Sequence, residues 1–464
     1  MATTAQRIRT SLLIGAATGT LVAALAMSPS RTAANVSVSP VAHAVEDAAD
    51  DGMVVKARFL TSRLLPEAQI QNLAVTITAP GAASMVRPPL SLAIVIDRSG
   101  SMHGAPIENA RSAALAALRQ LAPSDAFSII SYSTGSEVVL PIQAATDANK
   151  TAARAAIESI YDDGGTCISC GLESGAAEVG RTPVRSGLRR ILLISDGQAN
   201  EGLYSRDELA QLAANKAERG VSISTVGVGL DFDETTMRRL AEVGRGNYYF
   251  IEDTVGLSAM FNRELGSLGQ TVATDVRLVV TAAQPYVQIE DAYGYPMTQQ
   301  GHSVVVPIAD LRAGETRKVV LRVAIGAPGA PGANAAIAKV DLGWHRVPDG
   351  EQRAAHTAAI VDLGAATAAE LAATADRATA AIIEQALESR ALEQAATAYE
   401  KDGLAGARRV LDDRKAAVRA QAQLIGEDEV QELDAVSSDT LDGFTRAPAK
   451  AKKAASVRAY DLAR

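Results

Sequence analysis

The chain has 464 residues, with 45 Lys and Arg against 53 Asp and Glu and a formal charge of −8. At roughly 100–200 residues per domain that length predicts two to four domains, and the acid excess argues against nucleic acid as the main partner. Two cysteines and five scattered histidines (His43, His103, His302, His345, His356) exclude a disulfide-built scaffold, a four-thiolate zinc site and an HxxxH zinc hydrolase.

Residues 1–11 carry Arg7 and Arg9 and no acid, and residues 12–27 form an apolar run. This pattern predicts a secretory signal over 1–27. Small-x-small sites fall at 24–26 and 42–44, so cleavage as late as 44 also fits. No Cys follows the run to take a lipid, and no adjacent Arg pair suggests twin-arginine export. The run is shorter than the about 20 residues a spanning helix needs. The expectation is an exported chain, in the periplasm, at the cell surface or secreted. Membrane contact would come only through an uncleaved signal or the basic tail. Residues 28–52, rich in Ser, Pro, Ala and Asp, read as a flexible linker.

Residues 53–87 hold two alternating segments, 54–59 and 73–77, expected as strands. Residues 88–268 then switch between short apolar runs and helical periodicity. Strands are predicted at 92–96, 127–130, 138–140, 191–194, 221–228 and 248–251. Helices are predicted at 107–121, 151–160, 209–219 and 235–243. Continuous apolar strands alternating with helices predict an α/β, doubly wound sheet covered on both faces. In such folds ligands bind at the carboxyl ends of the strands.

Two acids, Asp97 and Asp196, stand at such ends. Asp97 opens a DxSxS run with Ser99 and Ser101; Gly164, Gly165 and Thr166 make a glycine turn; Ser195, Asp196 and Gly197 close a third strand. The set offers three hydroxyls and two carboxylates, all hard oxygen donors of the kind Mg²⁺ takes, beside waters. The DRSGSM, GGT and SDG pieces, in that order within an α/β pattern, resemble the von Willebrand factor A domain and its metal-ion-dependent adhesion site. The resemblance covers about 180 residues. It implies that Ser99 and Ser101 ligate Mg²⁺ (or Mn²⁺ or Ca²⁺) and that Thr166 ligates or swings with occupancy. Asp97 and Asp196 would act mostly through bound water. It further implies a protein partner offering Asp or Glu to the metal. The bland alternative is that these Asp and Ser residues only cap turns and helices.

Enzyme readings find little support. Ser99 is not on a GxSxG elbow, no GxxxxGK[ST] loop exists, and Asp97 heads no DxD. Cys167 and Cys170 form a CxxC pair directly after Thr166. In an exported chain the pair is expected to be oxidised. It is either an inert disulfide or packed thiols, or a redox control on the Thr166 loop.

After the A-type region, strands are predicted at 276–280, 286–289, 304–308, 319–325 and 337–342. With the 53–87 strands they suggest a β-sandwich over 269–363 into which the α/β domain is inserted. Bacterial exported proteins with a single A domain are similar in this layout, as are inter-α-trypsin inhibitor heavy chains more distantly. Residues 364–436 read as an αα-hairpin broken at Asp402 and Gly403, and residues 437–464 as a basic flexible tail. The whole reads as a non-enzymatic exported binding or adhesion protein. The alternatives are a regulatory or scaffold subunit of a cell-envelope complex, or a CxxC redox protein.

Overall fold

The computed structural model describes residues 47–48, 52–65, 67–81, 88–182, 187–229, 232–251, 270–327 and 332–463. The signal segment, most of the 28–52 linker and residues 252–268 lie outside them.

The chain opens with β1 (Asp47–Ala48), β2 (Val54–Phe59), β3 (Arg63–Leu64) and β4 (Gln69–Thr78). The inserted domain follows with β5 (Leu90–Asp97), β6 (Ala126–Tyr132), β7 (Ser136–Ala144), β8 (Leu188–Ser195), β9 (Val221–Val228) and β10 (Arg245–Ile251). These six make one sheet in the order β10-β9-β8-β5-β6-β7. All pairs are parallel except β6 with the edge strand β7. All eight residues of β5 are buried, as a central strand covered by helices on both faces must be. The helices are α1 (Ala105–Gln120), α2 (Asp147–Glu158), α3 (Ile168–Gly180), α4 (Arg206–Glu218) and α5 (Glu234–Val243). Helix α1 packs small residues, Ala110, Ala113, Ala114 and Ala117, against one face. The close approach on the other face needs glycine. A Cβ on Gly171 of α3 would lie 2.7 Å from the Tyr132 ring.

The companion domain is a two-sheet β structure with one shared core. It adds β11 (Thr271–Ala282), β12 (Val287–Ala292), β13 (Thr298–Gln300), β14 (Ser303–Pro307), β15 (Leu311–Arg312), β16 (Thr316–Ile325), β17 (Gly332–Arg346) and β18 (Gln352–Leu363). One sheet runs β1-β2-β4-β16-β12 and the other β13-β14-β11-β17-β18-β3. Alternating side chains such as Val55, Leu73, Val75, Val319 and Leu321 meet Leu278, Val340, Leu342 and Trp344 between them. Strand β4 pairs with β16 over ten residues, from Thr78 with Thr316 to Gln69 with Ile325. The strands before the α/β domain therefore complete the sheet formed after it, and the α/β domain is an insertion.

The C-terminal region is larger than a hairpin. A short α6 (Ala368–Ala373) leads into α7 (Arg377–Ala420), whose only non-helical residue is Gly403 (φ 64, ψ −156). That glycine adopts a backbone conformation few other residues tolerate and marks the expected break. Then come α8 (Ala422–Ile425), α9 (Glu427–Arg446) and α10 (Pro448–Leu462). The expected boundary at 436 falls inside α9, and the expected flexible basic tail is α9's end plus helix α10. Its Ala451, Ala455 and Ala459, four residues apart, are buried with Leu392, Leu411 and Phe444. Its lysines are partnered: Lys452 and Lys453 both pair with Glu234 of α5. Composition suggested a solvated tail because apolar alanines do not stand out beside a lysine run.

Candidate functional site

Two of the three loop segments begin where a strand ends, and the third, which carries Thr166, joins α2 to α3. Strand β5 stops at Asp97, which is fully buried. Its register neighbour at the end of β6 is Tyr132. Asp97 Oδ1 accepts the Ser99 N–H at 2.9 Å, while Oδ2 accepts the Tyr132 hydroxyl at 3.0 Å and the Ser195 hydroxyl at 2.5 Å. Ser195 Oγ in turn accepts the Gly197 N–H at 2.8 Å. The first carboxylate is thus pinned by one backbone and two hydroxyl donors.

The loop after β5 turns through a one-turn 3-10 segment, Gly100–Met102. Here Ser99, buried, and Ser101, exposed, bring their hydroxyl oxygens to 3.1 Å. Two backbone bonds stitch this loop to the glycine turn, Gly100 N–H to Gly164 O at 3.0 Å and Asp163 N–H to Arg98 O at 2.7 Å. Gly164 has φ +80, and a Cβ there would sit 2.9 Å from Thr134 Oγ1, so the turn requires glycine. Thr166 is buried and tied from behind. Its N–H donates to Asn200 Oδ1 at 2.7 Å, and its carbonyl accepts from Asn200 and Glu201 N–H at 3.0 and 3.2 Å. Asp196 accepts the Gln198 N–H on Oδ1 at 3.2 Å, and its carbonyl accepts the Asp233 N–H at 2.8 Å. The loops of Asp97, Ser99 and Ser101, of Thr166, and of Asp196 therefore gather at one edge of the sheet, with Gly100, Ser101, Gly164 and Gln198 open to solvent.

The electrostatics of this edge are set by two neighbouring acids, Asp97 and Asp196. Burial, and after it the neighbouring Asp196 carboxylate, push the Asp97 carboxyl up to about 6. Burial and Asp97 also push the Tyr132 phenol up, which keeps it a donor. Among the described residues no group of three or more His, Cys, Asp and Glu side chains could hold a metal. A dication here would have to be held by hydroxyls beside two acids. Three hydroxyls and two carboxylates fit Mg²⁺, which needs few charged ligands and retains waters.

Three supports escaped the sequence reading. Ser195 stood in the SDG triplet but was read only as a strand end. Tyr132 becomes visible only once the β5–β6 register is known. Asn200 lies 34 residues from Thr166 with no local signal. His103 Nδ1 lies 3.0 Å from Asp162 Oδ2 on the exposed rim.

Cys167 and Cys170 are disulfide-bonded, with Cα atoms 5.3 Å apart. Cys167 is the N-cap of α3, and its N–H donates to Ser133 O at 2.7 Å. The bridge rests against the loop that holds Thr166. A Cβ on Gly202 (φ +65) would lie 2.5 Å from Cys167 Sγ, and the Leu203 N–H donates to Ser169 Oγ at 3.0 Å.

Residues 91–263 match the family model of the von Willebrand factor type A domain. The uncharacterized protein YfbK of Escherichia coli (strain K12) is 30% identical over 229 residues, 49% of this chain and 40% of that protein. Inter-alpha-trypsin inhibitor heavy chain H3 of Mesocricetus auratus is 34% identical over 166 residues, 34% of this chain and 18% of its own. The chain thus spans less than half the length of either relative. Among solved structures, a von Willebrand factor type A protein from Catenulispora acidiphila superposes with a TM-score of 0.67 at 18% identity. It covers 90% of this chain and 97% of that one, so the likeness of fold extends beyond the inserted domain.

Proposed function

Residues 91–263 being a von Willebrand factor type A domain, we propose that this chain is a non-enzymatic binding protein that captures a partner's Asp or Glu through a divalent cation. Domains of this type commonly serve protein interaction, which supports the class of function. The observation that carries the finer reading is the stitching of three loops, bearing Asp97, Ser99 and Ser101, then Thr166, then Asp196, at one solvent-open strand edge.

In this reading Ser99, Ser101 and Thr166 hold Mg²⁺ (or Mn²⁺ or Ca²⁺) by their hydroxyls. Asp97 and Asp196 supply charge, largely through water. The bound ion would supply an open, positively charged position for a carboxylate. This chain's own part is to keep that position rigid. Ser195 and Tyr132 fix Asp97, Asn200 fixes the Thr166 backbone, and Asp233 fixes the Asp196 backbone. Export to the cell envelope or beyond belongs to the same proposal and rests on the N-terminal sequence. No helix among the described residues is long and apolar enough to cross a membrane.

A displayed peptide library panned against the full chain tests the proposal. With Mg²⁺, recovered peptides should share an indispensable Asp or Glu, and chelator or Asp196→Ala should abolish recovery. Recovery unchanged by both would overturn it.

A further inference from the structure

The opposite edge of the same sheet carries the reverse charge. Arg190 is the third residue of β8, and Arg245 is the first of β10. The β-sandwich sets Arg317 of β16 and Arg312 of β15 against them, around a cavity of about 20 Å³ that also meets Asp310. Arg190, Arg245 and Arg317 are each more than nine-tenths buried along their side chains.

Each guanidinium has an acid, but the acids are shared. Arg190 Nη2 is 2.9 Å from Asp310, and Arg317 Nη2 is 2.6 Å from Glu315, which also takes Arg312 at 3.5 Å. Arg245 pairs with Asp275, which also takes Arg277 at 3.1 Å. Among the described residues, these five guanidiniums lie within ion-pair distance of Asp310, Glu315 and Asp275. Burial, followed by the charge of Arg277, brings the Arg245 guanidinium down to about 10. Two donors are left over as well: among the described residues, Arg245 Nε and Arg317 Nε are buried with no hydrogen-bond acceptor. Such groups are costly to leave unmade.

A guanidinium offers donors and no acceptor. The guest that suits this lining accepts hydrogen bonds, carries negative charge and is small. A volume of about 20 Å³ admits one water-sized body, since about 10–15 Å³ is the minimum for one water. We propose that this cavity binds one monatomic anion of chloride size, bridging the inserted domain, through Arg190 and Arg245, to the β-sandwich, through Arg312 and Arg317. The anion would help fix the angle at which the sandwich presents the strand-end site. The inference stands apart from the metal reading.

Thermal unfolding of the full chain is followed while chloride replaces gluconate at constant ionic strength. The midpoint should keep rising with the logarithm of chloride concentration above its dissociation constant, and the unfolding constant should fall about tenfold when chloride reaches ten times that constant. In Arg317→Gln the chloride dependence should vanish. Should that variant not fold, crystals of the unaltered chain grown in bromide decide. An anomalous peak should lie within hydrogen-bond reach of Arg245 and Arg317 Nε. No chloride dependence at fixed ionic strength would overturn the proposal and leave a water, or an acid from outside the described residues, as the guest. A bromide peak without any effect in solution would mean an adventitious ion only, and would overturn it too.

Discussion

The two edges of the inserted domain's sheet are built from the same strands and have opposite chemistry. Strand β8 carries Arg190, its third residue, beside the sandwich and ends with Ser195, followed by Asp196. Six residues separate Arg190 from Asp196, about 20 Å at 3.3 Å per residue. At the carboxyl edge the fold buries Asp97 beside Asp196 without a matching cation among the described residues. At the amino edge it buries Arg190, Arg245 and Arg317, with Arg245 Nε and Arg317 Nε lacking an acceptor among the described residues. The first edge is open to solvent through hydrogen-bonded loops, while the second is closed by another domain. The contrast separates two uses of buried charge. In the proposed reading one edge receives a ligand from outside, and the other lies between two domains.

The sharpest way to break this contrast is to remove one acid at the open edge. Asp97→Ala should abolish Mg²⁺ binding, a loss exceeding the roughly 10–100-fold that changes behind a metal's ligands produce. Isothermal calorimetry reads it directly, and the amino edge should be untouched. The reverse experiment is Arg190→Met. It breaks the ion pair between the buried Arg190 and the half-buried Asp310 and should cost about 1–3 kcal/mol of stability in denaturant unfolding. Mg²⁺ affinity in the variant that remains folded should be unchanged. If it fell in parallel, the two edges would be coupled rather than separate.

A smaller effect is expected where α10 grips the inserted domain. Lys453 donates to Phe232 O at 2.8 Å and to Glu234 at 3.2 Å, and lies 3.7 Å from the Phe232 ring centroid. Tyr460 donates to Gly246 O at 2.8 Å. Tyr460→Phe leaves that buried carbonyl short of a donor and should cost about 1–2 kcal/mol. Hydrogen exchange should rise in α10 before it rises in β5. The smallest effect is expected from reducing the Cys167–Cys170 bridge. The bridge touches the Thr166 loop from behind, so reduction should weaken Mg²⁺ by roughly tenfold, the low end for such supports. Equal affinity in oxidising and reducing buffer would assign the disulfide to packing alone.

These edges differ also in how much of them could be read before folding. The carboxyl-edge motif was legible because its residues sit in short local runs, DxSxS and SDG at strand ends and GGT just before a helix. The alternation at 54–59 and 73–77 likewise placed the early strands in the sandwich. Tyr132 was hidden because its role depends on register with Asp97 across 35 residues. The amino edge was hidden altogether. Arg190 stands just before the apolar run 191–194 and looks like a flank, yet the sandwich buries it. Lys453 misled for the same reason: charge read as solvation when a distant segment supplied Glu234. Local pattern reveals a site assembled from strand ends. It does not reveal a site assembled from two domains.

The central claim is that the open edge holds a divalent cation through Asp97, Ser99, Ser101, Thr166 and Asp196. Calorimetric titration of Mg²⁺ into the full chain and into Asp196→Ala tests it most directly. The account predicts one saturable site in the unaltered chain and none in the variant. Equal binding in both, or no binding of Mg²⁺, Mn²⁺ or Ca²⁺ by the unaltered chain, would contradict it.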